Sequence, residues 1–273
     1  MMFYSDSCAG RFFLQEKNEK RTLRLITAVT ILAVLLIWWG ATEWNLVNTR
    51  IVPRPVAVWN AFLQILKNGY KNHTLIAHLA ASLSRLIAAF AAASVVGVTT
   101  GLLCGFHPKA GAVMEPLVEF FRPLPPLAYY VLLVLWLGIG NESKIVLLLF
   151  ACLPPIFVAC AAATRRVPED YMNSALSLGA SRRQIFFHVV FFYCLPETLT
   201  GMRTAFGVGY TTLISAEMVA AVSGLGWMVL DAQRNMRNDV IFVGIFIMGF
   251  TGILMDRGLR ALEKKLVPWA GRI

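Results

Sequence analysis

The chain has 273 residues, 58% of them hydrophobic and 15% charged, with mean hydropathy +0.64. A soluble domain of this length carries about 25% charge, so the composition argues against a water-soluble globule and for a helical protein that crosses a membrane several times. The net charge of +10 suits basic residues that hold loops in the cytoplasm and lie against anionic lipid, and it does not require nucleic acid.

Residues 1–24 read as a cytoplasmic N-terminal segment, basic at Lys17, Lys20, Arg21 and Arg24. The first apolar run, 25–41, ends in Trp38–Trp39 and is followed by Glu43 and Trp44. A cleavage site wants small residues, and the Trp pair followed by Glu43 and Trp44 is poor for one, so an uncleaved span with an interfacial tryptophan belt is expected. The following loop holds a short helix opened by Pro55, with Val56, Trp59, Phe62, Leu63 and Leu66 along one face. It reads either as a helix on the outer membrane surface or as a loop packed on its neighbours.

A second span is expected over 83–106. Gly97, Gly101 and Gly105 stand four residues apart in it, a row that either brings helices close or reflects the usual abundance of small residues in membranes. A short third span, 127–139, follows Pro123, Pro125 and Pro126 and ends in a tight turn at 138–141. The fourth, 145–163, contains Pro154 and Pro155, which remove backbone hydrogen bonds and favour a kink. The fifth and sixth are expected over 204–222 and 240–259. Six spans put both termini on one side. About two thirds of the 25 lysines and arginines fall on that side, which makes it the cytoplasm. Arg85, Lys144, Arg234 and Arg237 fall to the outer side in this scheme.

The polar stretch 164–203 between the fourth and fifth spans is the most structured loop. Pro168 suits the first position of a helix, and Glu169 and Asp170 place negative charge at its start. Tyr171, Met172, Ala175 and Leu178 form an apolar face, Gly179 can take the left-handed conformation that ends the helix, and Ser181 can cap the next one. The pattern is helix, sharp turn, helix.

Few residues offer other chemistry. The chain contains no G-x-x-x-x-G-K-[ST] phosphate cradle. His73, His78, His107 and His188 are scattered and read as surface groups. Cys8, Cys104, Cys152, Cys160 and Cys194 have no paired spacing and read as small apolar fillers, with neither a disulfide nor a metal expected. Glu217 is the ionisable residue that stands out within a span, near Thr211, Thr212 and Ser215. Such a group is costly in lipid. It reads either as part of a translocation path or dimer seam, or as a structural ion pair with a basic residue. Arg203 opens the fifth span and reads as a lipid-headgroup anchor.

The loop resembles the EAA loop of ABC importer permeases, whose pattern is E-A-A, three residues, Gly, nine residues, then I-x-L-P. Gly179 matches the glycine, Ala175 and Ser174 the alanines, and Val189 the isoleucine. Asn173 stands in place of the acidic residue and Phe191–Phe192 in place of Leu-Pro, with a second Leu-Pro at Leu195–Pro196. The blocks FRPLPPLAYYVLLVLWLGIGNESKI (121–145), LGASRRQI (178–185), CLPETLTGMR (194–203), GVGYTTLISAEMVAA (207–221), GLGWM (224–228) and GLRALEKKLVPWAG (258–271) look like the taurine branch of the nitrate/sulfonate/taurine permeases. The resemblance runs from Leu25 to the C terminus.

It implies an all-α membrane protein of about six spans with the type I importer (MetI-like) permease fold, forming a transmembrane domain over 25–273. The implied chain is no enzyme but a transport subunit in a bacterial inner membrane. It would work as two copies with two ATPase subunits, which bind ATP and Mg, and with an extracytoplasmic binding protein. Ser174, Ala175, Leu176, Leu178, Gly179, Ala180 and Ser181 would couple to the ATPase. Small organic sulfonates, taurine first, are the implied cargo; alkanesulfonates, nitrate and pyrimidine precursors are alternatives within the architecture. An ATP-independent facilitator or channel would also have six spans but needs no such loop.

Overall fold

The computed structural model describes residues 6–269, with side chains from Thr22 onward, Arg24 excepted. The expectations for Cys8, for the basic residues of 11–24 and for Arg272 rest on side chains outside those described. The chain divides into two compact units, Met1–Phe62 and Leu63–Ile273. In the first, helix α1 (Asp6–Glu43) runs through the first expected span. A turn follows, tied by the Trp38 indole, which donates to the Pro53 carbonyl at 3.2 Å. Helix α2 (Pro55–Asn68) then opens at the expected proline. Its exposed face carries Val56, Trp59 and Leu66, whereas Val58, Ala61 and Ile65 are buried.

The second unit holds α3 (Leu75–Phe106), α4 (Pro108–Phe121), α5 (Pro126–Leu137), α6 (Asn141–Arg165), α7 (Glu169–Ser177), α8 (Arg182–Ile185), a π-turn (Phe186–Val190), α9 (Phe191–Ala220), α10 (Leu225–Arg234) and α11 (Asn238–Leu266). Among the described residues, five helical runs are long and apolar enough to span a membrane: Leu25–Glu43 within α1, then α3, α6, the continuous run Arg182–Ala220, and α11.

The expected third span is corrected. Its helix, α5, has 12 residues, about 18 Å at 1.5 Å per residue, against a hydrocarbon core of about 30 Å. It pairs with α4 across a 96° bend, and the two limbs together make up a sixth candidate span. Pro123, Pro125 and Pro126 remove three of the four N–H donors of 123–126 at the bend. The second and fifth spans are corrected in length. Helix α3 starts at Leu75, where Thr74 caps it by accepting from the Ala77 N–H at 3.2 Å. The fifth begins at Arg182 rather than 204. Arg85, counted with the outer charges although two residues inside the expected second span, and Arg203, just before the expected fifth, each lie inside a helix, neutralised by carboxylates.

Helices α3, α6 and α9 form the centre of this unit. The glycine row of α3 is a close-approach seam. A Cβ on Gly97 would come within 2.9 Å of Ile156, one on Gly101 within 2.7 Å of Cys160 and the Phe157 carbonyl, and one on Gly105 within 2.5 Å of Thr164. The α6 residues that meet this seam, Ile156, Phe157 and Cys160, are fully buried. Cys152, Cys160 and Cys194 join Leu102, Ile185 and Val190 in one core cluster, which confirms them as fillers.

Candidate coupling elbow and transmembrane polar cluster

The loop folds as its sequence requires. Pro168 precedes α7, and Glu169 and Asp170 occupy its first turn, where the helix dipole favours them. The helix ends in a Schellman motif: the Ala180 N–H donates to the Ala175 carbonyl at 3.0 Å and the Gly179 N–H to the Leu176 carbonyl at 2.9 Å. Gly179 has φ +84, and nothing lies within 4 Å of where its Cβ would stand. Two residues on, Ser181 forms a capping box with Gln184. The Ser181 N–H donates to Gln184 Oε1 at 2.8 Å, and the Gln184 N–H to Ser181 Oγ at 3.4 Å.

The expected apolar face splits in two. Met172, Ala175 and Ala180 pack onto the core cluster and hold the elbow against the bundle. Tyr171, Leu176 and Leu178 point away, and Leu178 is 89% exposed. Of the expected coupling residues, Leu176, Leu178 and Gly179 therefore lie on the outer surface, Ser174 and Ser181 are exposed beside them, and Ala175 and Ala180 turn partly inward. Beyond the capping box the chain does not break again. Helix α8, the π-turn and α9 form one run of 39 residues, about 58 Å long. The π-turn puts one extra residue into a turn, a device common at functional sites.

Along α9 the expected polar residues fall on two faces. Thr204, Gly207, Val208 and Thr211 are exposed, and Ser215 is half-buried. Thr211 and Ser215 return their hydroxyls to carbonyls of their own helix, Gly207 and Thr211. Thr212 and Glu217 face into the bundle. Nearer the elbow, a cavity of about 610 Å³ opens between α6, α9 and α11. Thr200, Thr204, Arg122, Arg166 and Glu263 are among its lining residues. Arg203 lies next to it and pairs with Glu263 (3.2 Å) and Asp256 (3.4 Å). The expected headgroup anchor is thus corrected to a link between α9 and α11, because two carboxylates of α11 face it.

At the opposite end of α9, Glu217 is fully buried. Arg85 Nη1 donates to its Oε1 at 2.6 Å, Ser82 Oγ lies 2.8 and 2.9 Å from its two oxygens, and the Gly226 N–H donates to Oε2 at 3.0 Å. Of the two readings of Glu217, the structure supports the ion pair. Its partner was missed because Arg85 was counted as an outer-loop charge. The available signal was Ser82 and Arg85, three residues apart and so on one helix face. Two further polar residues also lie inside. The expectation that His78 is a surface group is corrected. It is buried, accepts the Gly224 N–H on Nδ1 at 3.1 Å, and so carries its proton on Nε2, 3.3 Å from the Tyr70 carbonyl. Lys144, assigned to the outer loops, is 2% exposed and donates to the Ile139 and Gly140 carbonyls at 2.8 Å each, closing the turn between α5 and α6. Beyond the end of α3, the Tyr70 hydroxyl donates to Asp231 Oδ2 at 2.7 Å. Burial and then that carboxylate push its pKa well above the ordinary tyrosine value.

Comparison with known proteins bears on both sites. Residues 97–268 match the family model described as the binding-protein-dependent transport system inner membrane component. The chain is 39% identical over 270 residues to the taurine transport system permease protein of Escherichia coli, covering 95% of this chain and 98% of that one. It is 28% identical to the nitrate import permease protein of Synechocystis, over 97% and 98% of the two chains. Among solved structures it is similar to a chain of the MetNI methionine ABC transporter in an inward-facing conformation. That match has TM-score 0.56 and 19% identity over 68% of this chain and 95% of that one, a likeness of fold.

Proposed function

Because the chain belongs to the family of binding-protein-dependent transport system inner membrane components, the permease subunits of ABC importers, we propose that it forms the translocation pathway for a small organic sulfonate, taurine first. The match to the taurine permease supports this cargo, since at 39% identity it covers 95% of the chain and so runs through both the elbow and the spans. The nitrate permease aligns over as much of the chain at lower identity, which makes a small inorganic anion the second reading.

The observation that carries the mechanism is the elbow. It presents Leu176, Leu178 and Gly179 outward at the root of a helix that runs unbroken through the bundle. In this reading Ser174, Leu176, Leu178, Gly179 and Ser181 seat in a cleft of the ATPase, and Ala175 and Ala180 brace the elbow from within. The ATPase pair binds ATP and Mg, and its closure pushes the elbow as a lever. Two copies of this chain face each other across the exposed side of α9, with Thr204, Thr211 and Ser215 along the path or seam. An extracytoplasmic binding protein delivers cargo at the end of α9 remote from the elbow. The elbow and both termini are then cytoplasmic. Glu217 and Thr212, turned into the bundle, belong to the framework of the path and touch no substrate.

The test is ATP hydrolysis by the purified assembly in liposomes with its binding protein. Taurine should stimulate it several-fold and nitrate should not. Stimulation by nitrate alone would move the assignment to the second reading, and the absence of any co-purifying ATPase would defeat the importer mechanism.

A further inference from the structure

The buried cluster at the end of α9 also holds a turn by hydrogen bonds. Residues 221–224 leave α9, reverse direction and enter α10. Val222 in this turn is 76% exposed. The hydrogen bonds that fasten the turn lead to α3 and α9. The Gly224 N–H goes to His78 and the Leu225 N–H to Ser82 Oγ at 3.0 Å, both on α3. The Gly226 N–H goes to Glu217 on α9. Arg85 completes the joint. Besides Glu217 it donates from Nη1 to the Ser223 carbonyl at 3.0 Å, from Nη2 to Ser223 Oγ at 3.2 Å and from Nε to Asn141 Oδ1 at 2.8 Å. Gly224 has φ +126, and a Cβ there would strike the Glu217 carboxylate. The turn and the carboxylate are therefore shaped to each other.

We propose that Arg85 and Glu217 are positioning residues for transport. They clamp the 221–226 turn and the head of α10 to the far ends of α3 and α9, so that a displacement at the Gly179 elbow arrives at α10 without slack. The physical ground is the joint's stiffness. An apolar contact can slide by a fraction of an ångström at small cost. A buried carboxylate bound by one guanidinium, one hydroxyl and one N–H has a single good geometry, and parting it from Arg85 leaves a charge stranded in an apolar interior. With a rigid helix on one side of the joint and a short helix on the other, motion put in at residue 182 leaves at residue 234. Both side chains are buried among these partners, which leaves neither open to hold cargo. The inference rests on the coupling reading of the elbow.

It is tested on the whole transporter in liposomes, permease with ATPase and binding protein, carrying Cys8→Ser and one spin label at a time. Arg183→Cys reports the rod beside the elbow and Gln233→Cys reports α10; both parent side chains are exposed. In the otherwise unaltered protein, trapping with ATP and vanadate should change the distance between the two copies' labels at both positions. In Glu217→Gln the change at 183 should persist and the change at 233 should shrink. Taurine uptake should fall about tenfold while basal ATP hydrolysis stays. Ser82→Ala keeps the ion pair and should give the same split in weaker form, which decides the matter if Glu217→Gln fails to assemble. Full movement at 233 in the variants, with uptake intact, overturns the clamp. No ATP-linked change at 183 even without these substitutions would instead overturn the coupling reading beneath it.

Discussion

Gly179 and Glu217 show how a single residue is read correctly or only in part from sequence. Gly179 sits where a helix must end and reverse, and its left-handed φ of +84 follows from the local pattern of an apolar-faced helix, Gly, and a capping Ser. The open space around it makes conformation its only intramolecular demand. Gly179→Val should therefore cost about 1–2 kcal/mol in the turn, seen as amide exchange over 180–185 that is several-fold faster. Gly179→Asn, which tolerates this conformation, should leave the exchange nearly unchanged; equal effects of the two would mean that φ is not the constraint. Glu217 was conspicuous as a carboxylate within a span. Its partners were not, because Ser82 and Arg85 lie about 130 positions away and nothing local marks them as its neighbours. Lys144 and His78 failed for the same reason. A charged or polar side chain near the end of an apolar run reads as a surface group, whereas each of these turns inward to bond backbone groups.

At the level of elements, apolar runs located the helices and charges misplaced their ends. Helix α3 is longer than its apolar run because Arg85 is neutralised inside it, and the run into α9 is longer because Arg203 is neutralised by α11. Helix α4 escaped notice. Glu115 and Glu119 interrupt its apolar pattern, and its continuation lies across a sharp proline bend. The α3–α6 seam was legible as a glycine row, but the row alone left open whether anything faced it; the Cβ positions against Ile156, Cys160 and Thr164 answer that. Gly101→Leu should cost about 3 kcal/mol or more, because overpacking here meets backbone as well as side chain. The detergent-solubilised protein should unfold at a clearly lower temperature than the parent. Gly249→Leu, where a Cβ meets nothing within 4 Å, serves as the control, and equal stability of the two variants would refute the seam.

For the whole molecule, the distribution of lysine and arginine predicts which way the bundle faces the membrane. A thiol-reactive, membrane-impermeant reagent should label Ser177→Cys in inside-out vesicles and leave it unlabelled in intact cells; the converse result would turn the proposed transporter over. The sequence by itself determined the membrane class, the approximate number of spans, the elbow and its caps. These rest on composition and on interactions within a few residues, which any segment carries with it. Only the tertiary structure decided that α4 and α5 are two limbs of one bent pair, that α8 to α9 is a single rod, and that Arg85 meets Glu217 beneath the 221–226 turn. The reason is that pairing energies between residues far apart in the chain depend on which helix faces are brought together, and that is settled only when the faces pack.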